Sequence, residues 1–103
     1  MSDFVRAADA SRVGPGELLT VEVEGESVLI ANVEGKFFAM GAVCRHQEWD
    51  LSEGSMDGFR ITCAGHGAIW DLRTGKAEFD EPLEDEPLYD IKEEDGQLLV
   101  RKR

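Results

Sequence analysis

The chain has 103 residues, 42% of them hydrophobic, which suffices for one core and falls short of two, so a single domain spanning residues 1–103 is expected. Eleven basic residues stand against 22 acidic ones, and the formal net charge of −11 repels both the nucleic-acid backbone and anionic membrane surfaces. MSDFVRAADA contains no basic leader before an apolar stretch, and no run approaches the roughly 20 apolar residues of a membrane span, so the expected setting is cytoplasmic, with neither nucleic acid nor membrane as partner.

In chain order, AADASRV ahead of the Gly14-Pro15-Gly16 breaker predicts a short helical turn. LLTVEVEGESVLIANVEGKFFAM then alternates Leu19, Val21 and Val23 against Thr20, Glu22 and Glu24, and breaks at Gly25 and again at Gly35. That is the pattern of short strands joined by tight turns. Further turn signals stand at MDG (56–58), RTG (73–75) and EDG (94–96), between the apolar runs FRITC, AIWDL, PLYDI and QLLV. The acidic stretch EFDEPLEDEPLYD carries Pro82 and Pro87 and predicts a loop ending at a strand that begins near Leu88. The closing Arg-Lys-Arg reads as a solvated tail. No stretch of helical period competes with this reading, so the fold class is all-β, an antiparallel sandwich or small barrel.

Both cysteines and both histidines fall between residues 44 and 66, as Cys44-x-His46 and Cys63-x-x-His66. Two cysteines do not make the dense disulfide framework of a small secreted domain, and a reducing compartment would maintain a Cys44–Cys63 bridge poorly. Thiolate and imidazole suit zinc, copper or iron, whereas calcium and magnesium want oxygen. Structural zinc sites commonly set two cysteines on one knuckle and two histidines on a helix, and nothing helical follows Cys63. A two-iron cluster is the alternative, with two thiolates on one iron and two imidazoles on the other, each mixed knuckle supplying one ligand to each metal.

With its Cys44-x-His46 and Cys63-x-x-His66-Gly67 knuckles followed by AIWDLRTGKA, the chain resembles the Rieske ferredoxins. HQEWDLSEGSMDGFRITC is most similar to the small ferredoxins of bacterial toluene and alkene monooxygenases. The resemblance implies a Rieske-type antiparallel β sandwich or barrel, with a cluster-binding subdomain of two loops, about residues 42–82, inserted in a base β domain. It also implies one [2Fe-2S] cluster, with Cys44 and Cys63 as ligands of one iron and His46 and His66 as ligands of the other. Two ferric ions, two sulfides and two thiolates sum to zero, against −2 with four thiolates. A neutral centre accepts an electron more readily, which accounts for potentials of roughly −150 to +300 mV against about −400 mV for plant-type clusters.

High-potential respiratory members of the family add a cysteine to each knuckle and follow the His-Gly pair with a serine and a tyrosine. Arg45 and Gly65 are among the residues that occupy the loops here, and Ala68 and Trp70 stand at the serine and tyrosine places, so a potential in the lower part of the range is expected. Gly65 and Gly67 flank His66 and suit a tight turn. Trp49 and Trp70 are candidates to cover the cluster or fill the core, and Arg45, Gln47 and Glu48 to meet a partner.

The implied function is that of a one-electron carrier with no catalytic residue of its own. It passes electrons from an NADH-dependent, flavin-containing reductase to a terminal oxygenase, with a di-iron hydrocarbon monooxygenase as the favoured acceptor. The imidazole edges are the expected exit for the electron, the acidic surface a salt-sensitive docking face, and the free protein a monomer. The alternatives are the ferredoxin of a ring-hydroxylating dioxygenase, a Rieske-like small subunit of a nitrite reductase, and a zinc-stabilised structural module.

Overall fold

A computed structural model describes residues 4–43, 50–64, 67–79 and 83–103. Three hairpins with two-residue turns form its frame. β2 (Leu18–Val23) turns into β3 (Glu26–Val33) through Glu24-Gly25, β3 into β4 (Lys36–Gly41) through Glu34-Gly35, and β9 (Leu88–Glu94) into β10 (Gln97–Lys102) through Asp95-Gly96. Both residues of each turn have positive φ, 50° and 82°, 54° and 94°, and 53° and 77° in that order. This turn geometry matches the right-handed twist of the flanking strands, and it requires glycine at the second position far more than at the first.

These strands and β1 (Val5–Asp9) form one antiparallel sheet in the order β1-β10-β9-β4-β3-β2, and its two edge strands approach each other, so the sheet curls nearly into a barrel. The all-β expectation holds. The helical turn expected in AADASRV holds only at Ala10–Arg12, a single 3₁₀ turn, because Ala7, Ala8 and Asp9 belong to β1. A register shift between Arg6 and Ala8 in the pairing of β1 with β10 breaks the two-residue alternation, and with it the only sequence signal this strand could have carried.

Strand β3 explains the layering. Val28, Leu29, Ile30 and Ala31 are all wholly buried. Val28 packs with Val23, Ala39, Tyr89 and Val100, and Ile30 with Val13 and Leu98, inside the curled sheet. Leu29 and Ala31 face the other way, with Met40 and Ala42. A strand covered on both sides reads as a continuous apolar run rather than an alternating one, as SVLIANV does.

The cover on that second face is a smaller antiparallel sheet, β5 (Ser55–Asp57), β6 (Arg60–Thr62), β7 (Ile69–Asp71) and β8 (Ala77–Glu78), ordered as in the chain. The chain leaves the large sheet after Gly41 and rejoins it at Leu88, where Met40 pairs with Leu88 and Ala39 with Tyr89. Leu51, Ile61, Cys63, Ala68, Trp70 and Leu72 of this inserted part share one buried cluster with Leu29, Ala31, Met40 and Ala42. Each fully buried aliphatic or aromatic side chain in it is worth about 1.5–3 kcal/mol of transfer free energy.

Candidate metal centre

Two necks of backbone hold the ends of the segments that carry the ligand candidates. At the first, the Leu51 N–H donates to the Ala42 carbonyl (2.7 Å), the Ala42 N–H donates to the Ser27 carbonyl (3.1 Å), and Val43 bridges to Asp50. One oxygen of the Asp50 carboxylate accepts hydrogen bonds from the Thr20 hydroxyl (2.6 Å), the Ser52 N–H (2.9 Å) and the Ser52 hydroxyl (2.8 Å). It thereby caps the 3₁₀ turn Leu51–Glu53 and ties the neck to β2. Partial burial pushes the Asp50 pKa up, and these donors outweigh it, so the carboxyl titrates below the ordinary aspartate range.

At the second neck, the Cys63 N–H donates to the Ala68 carbonyl (2.8 Å) and the Gly67 N–H donates to the Cys63 carbonyl (3.1 Å). Gly67 closes this turn at φ +80°, where a side chain would be strained. The hairpin of β6 and β7 pairs Ile61 with Trp70 and Thr62 with Ile69. Alternation therefore places Ile61, Cys63, Ala68 and Trp70 on one face, and all four are buried, while Thr62 and Ile69 on the other are partly exposed. Ala42 and Leu51 from the first neck lie in the same buried cluster, so the two candidate segments start from adjacent, close-packed points.

Of the four ligand candidates, Cys63 lies among the described residues, buried at 3% exposure at the end of β6. Cys44, His46 and His66 lie outside them, as do Arg45, Gln47, Glu48, Trp49 and Gly65. Trp70 is wholly buried, and its indole N–H has no hydrogen-bond acceptor among the described residues. The sequence reading missed Asp50 and Thr20. The Asp50-Leu51-Ser52-Glu53 run carries a capping signal that could have marked Asp50 as a turn-former, but its bond to Thr20 spans 30 residues and has no local signature.

A buried thiol beside an indole donor that has no acceptor among the described residues fits a centre with thiolate ligation and sulfur acceptors. The sequence model of the Rieske [2Fe-2S] domain matches residues 3–98. The chain belongs to the Rieske [2Fe-2S] domain family. Its cofactor is accordingly one Rieske cluster, which replaces the zinc alternative.

This Rieske protein is 40% identical over 98 residues to the biphenyl dioxygenase ferredoxin subunit of Pseudomonas sp. (strain KKS102), covering 94% of this chain and 90% of the relative. Among solved structures, the Sphingomonas yanoikuyae B1 ferredoxin is 27% identical at a TM-score of 0.88, covering 98% of this chain and all of that one. A chain in the complex of reduced oxygenase and oxidized ferredoxin in carbazole 1,9a-dioxygenase is 25% identical at a TM-score of 0.87, covering 97% of this chain and 95% of that one. Among the described residues no helix is long and apolar enough to cross a membrane.

Proposed function

We propose that this Rieske protein is the ferredoxin of a ring-hydroxylating dioxygenase system, taking single electrons from an NADH-dependent flavin reductase and delivering them to the terminal oxygenase. The sequence reading favoured a di-iron hydrocarbon monooxygenase as the acceptor. The observation that now carries the choice is the 40% identity to a biphenyl dioxygenase ferredoxin subunit along nearly the full length of both chains. The ligand pattern alone is neutral between the two systems, since either carrier needs the same four donors.

In this reading Cys44 and Cys63 hold one iron and His46 and His66 the other, within a cluster-binding part of about residues 42–82 set into a single domain. The cluster, when bound, supplies one-electron chemistry at a charge-neutral oxidised centre. The chain supplies the seat: two necks fixed by backbone hydrogen bonds, a buried wall of Ile61, Ala68, Trp70 and Leu51, and a strongly acidic exterior. Small charged contacts let a carrier meet two partners in turn and release each, as a monomer in the cytoplasm.

Reconstitution tests the assignment. The holoprotein is combined with NADH and a flavin reductase, and with either the oxygenase of a biphenyl dioxygenase or the hydroxylase of a di-iron toluene monooxygenase. Product formation that depends on this protein is expected with the dioxygenase. Turnover with the di-iron hydroxylase alone would overturn the proposal. Reduction by the reductase should slow as ionic strength rises, and a rate insensitive to salt would leave the acidity a matter of solubility only.

A further inference from the structure

Trp70 sits opposite Ile61 in the β6–β7 hairpin and diagonal to Cys63 on the same buried face. Diagonal neighbours in an antiparallel pair lie about 7–8 Å apart, within reach of an aromatic side chain. The ring is wholly buried, and the indole N–H finds no acceptor among the described residues. A buried tryptophan N–H usually has a partner, because leaving it desolvated and unpaired is costly. Trp70 shares its buried cluster with the aliphatic side chains of Leu29, Ala31, Leu51 and Ile61 and with the sulfur-bearing Cys63. A bound cluster would bring sulfide and thiolate sulfurs, which are acceptors, to this neighbourhood.

We propose that Trp70 is a potential-setting residue, its indole N–H donating a hydrogen bond to a sulfur atom of the loaded centre. The inference rests on the ligand assignment proposed above. A donor to sulfur favours the form that carries the extra negative charge, so it stabilises the reduced state and raises the potential. It partly offsets the absence of a hydroxyl at Ala68. Trp70 thus joins the packing of the inserted sheet to the tuning of its electron acceptor, a role that an apolar ring of similar size could not fill.

The test is the holoprotein with Trp70→Phe, which keeps a buried ring and removes the N–H. Expected is a fall of about tenfold in the reduced-to-oxidised ratio at a fixed applied potential, equivalent to about 59 mV for one electron, with the Rieske-type paramagnetic spectrum of the reduced state retained. A second measurement needs no mutant at that position: pulsed paramagnetic resonance of reduced Trp49→Phe protein labelled with ¹⁵N at the indole nitrogen. Hyperfine coupling to the remaining label is expected. An unchanged potential in Trp70→Phe with a normal spectrum, or an absence of indole coupling in the labelled protein, would overturn the donor and leave the ligand assignment standing. A wild-type protein with no Rieske spectrum at all would instead strike that assignment.

Discussion

The two sheets of this molecule are held together in different ways. In the large sheet, strands of five to eight residues are joined mainly by two-residue turns whose dihedral angles already impose the twist of a hairpin. In the inserted sheet, strands of two or three residues pair over a few residues and bury one face against β3 and β4. Strands that short are marginal without tertiary support. The large sheet is therefore specified locally and completed by its own interior, whereas the small one depends on a borrowed wall.

The most severe way to break this contrast is to remove a proposed ligand. Cys63→Ala is expected to retain less than about a tenth of the wild-type iron and labile sulfide, since an incomplete thiolate set forfeits the cluster. Amide hydrogen exchange should then show β5 to β8 losing protection while β3, β4, β9 and β10 keep theirs. Equal loss in both sheets would mean that they form one cooperative unit.

Next in size are truncations on the two faces of β3. Leu29→Ala and Ile30→Ala each remove a wholly buried side chain and should cost about 2–5 kcal/mol in denaturant unfolding. Their effects should separate in a second measurement. Leu29→Ala, on the wall of the inserted sheet, should accelerate bleaching of the cluster on mild heating, while Ile30→Ala should leave bleaching near wild type once equal fractions of folded protein are compared.

Two glycines sharpen the contrast further. Gly25 and Gly75 both sit at positive φ, 82° and 75°, but a Cβ at Gly25 meets open space while one at Gly75 runs into the Glu86 carbonyl and then the Leu88 side chain. Gly25→Ala should cost about 1–2 kcal/mol from backbone strain. Gly75→Ala should cost more, because the Glu86 N–H that donates to the Gly75 carbonyl (2.8 Å) must move as well. Thermal unfolding of the two variants checks the order.

The smallest effect is spectroscopic and belongs to the large sheet. Tyr89 is the sole tyrosine, and its pKa is pushed up to about 12, first by burial and then by the hydrogen bond its hydroxyl donates to Glu26 (2.8 Å). A raised folded-state value means that the stability linked to this group is fully present below the unfolded pKa of about 10 and lost as pH rises toward 12. Phenolate absorbance should therefore appear about two units late, and Glu26→Gln should bring it earlier. A wild-type transition near 10 would show that this end of the sheet is open to water.

The large sheet was legible because each of its three tight turns puts a glycine where positive φ demands one. β1 was not, because its register shift spoils the alternation and its pairing with β10 lies at the far end of the chain. The apolar run of β3 announced burial but did not say that the two faces serve different cores. Cys44, His46, Cys63 and His66 stand out as ligand candidates through spacing and chemistry, which act locally. Asp50 and Thr20 were not, since their bond joins distant segments. The proposed acceptor differs from the one the sequence favoured for a related reason: four ligand candidates common to both kinds of carrier hold no information about which oxygenase follows.

Burying both sides of β3 has a consequence for the speed of the molecule. Close-packed interiors yield little to small perturbations, so a strand clamped between two such layers shifts little when charge arrives or departs nearby. A wall of this kind behind the proposed redox centre would keep small the atomic rearrangement that accompanies each oxidation and reduction.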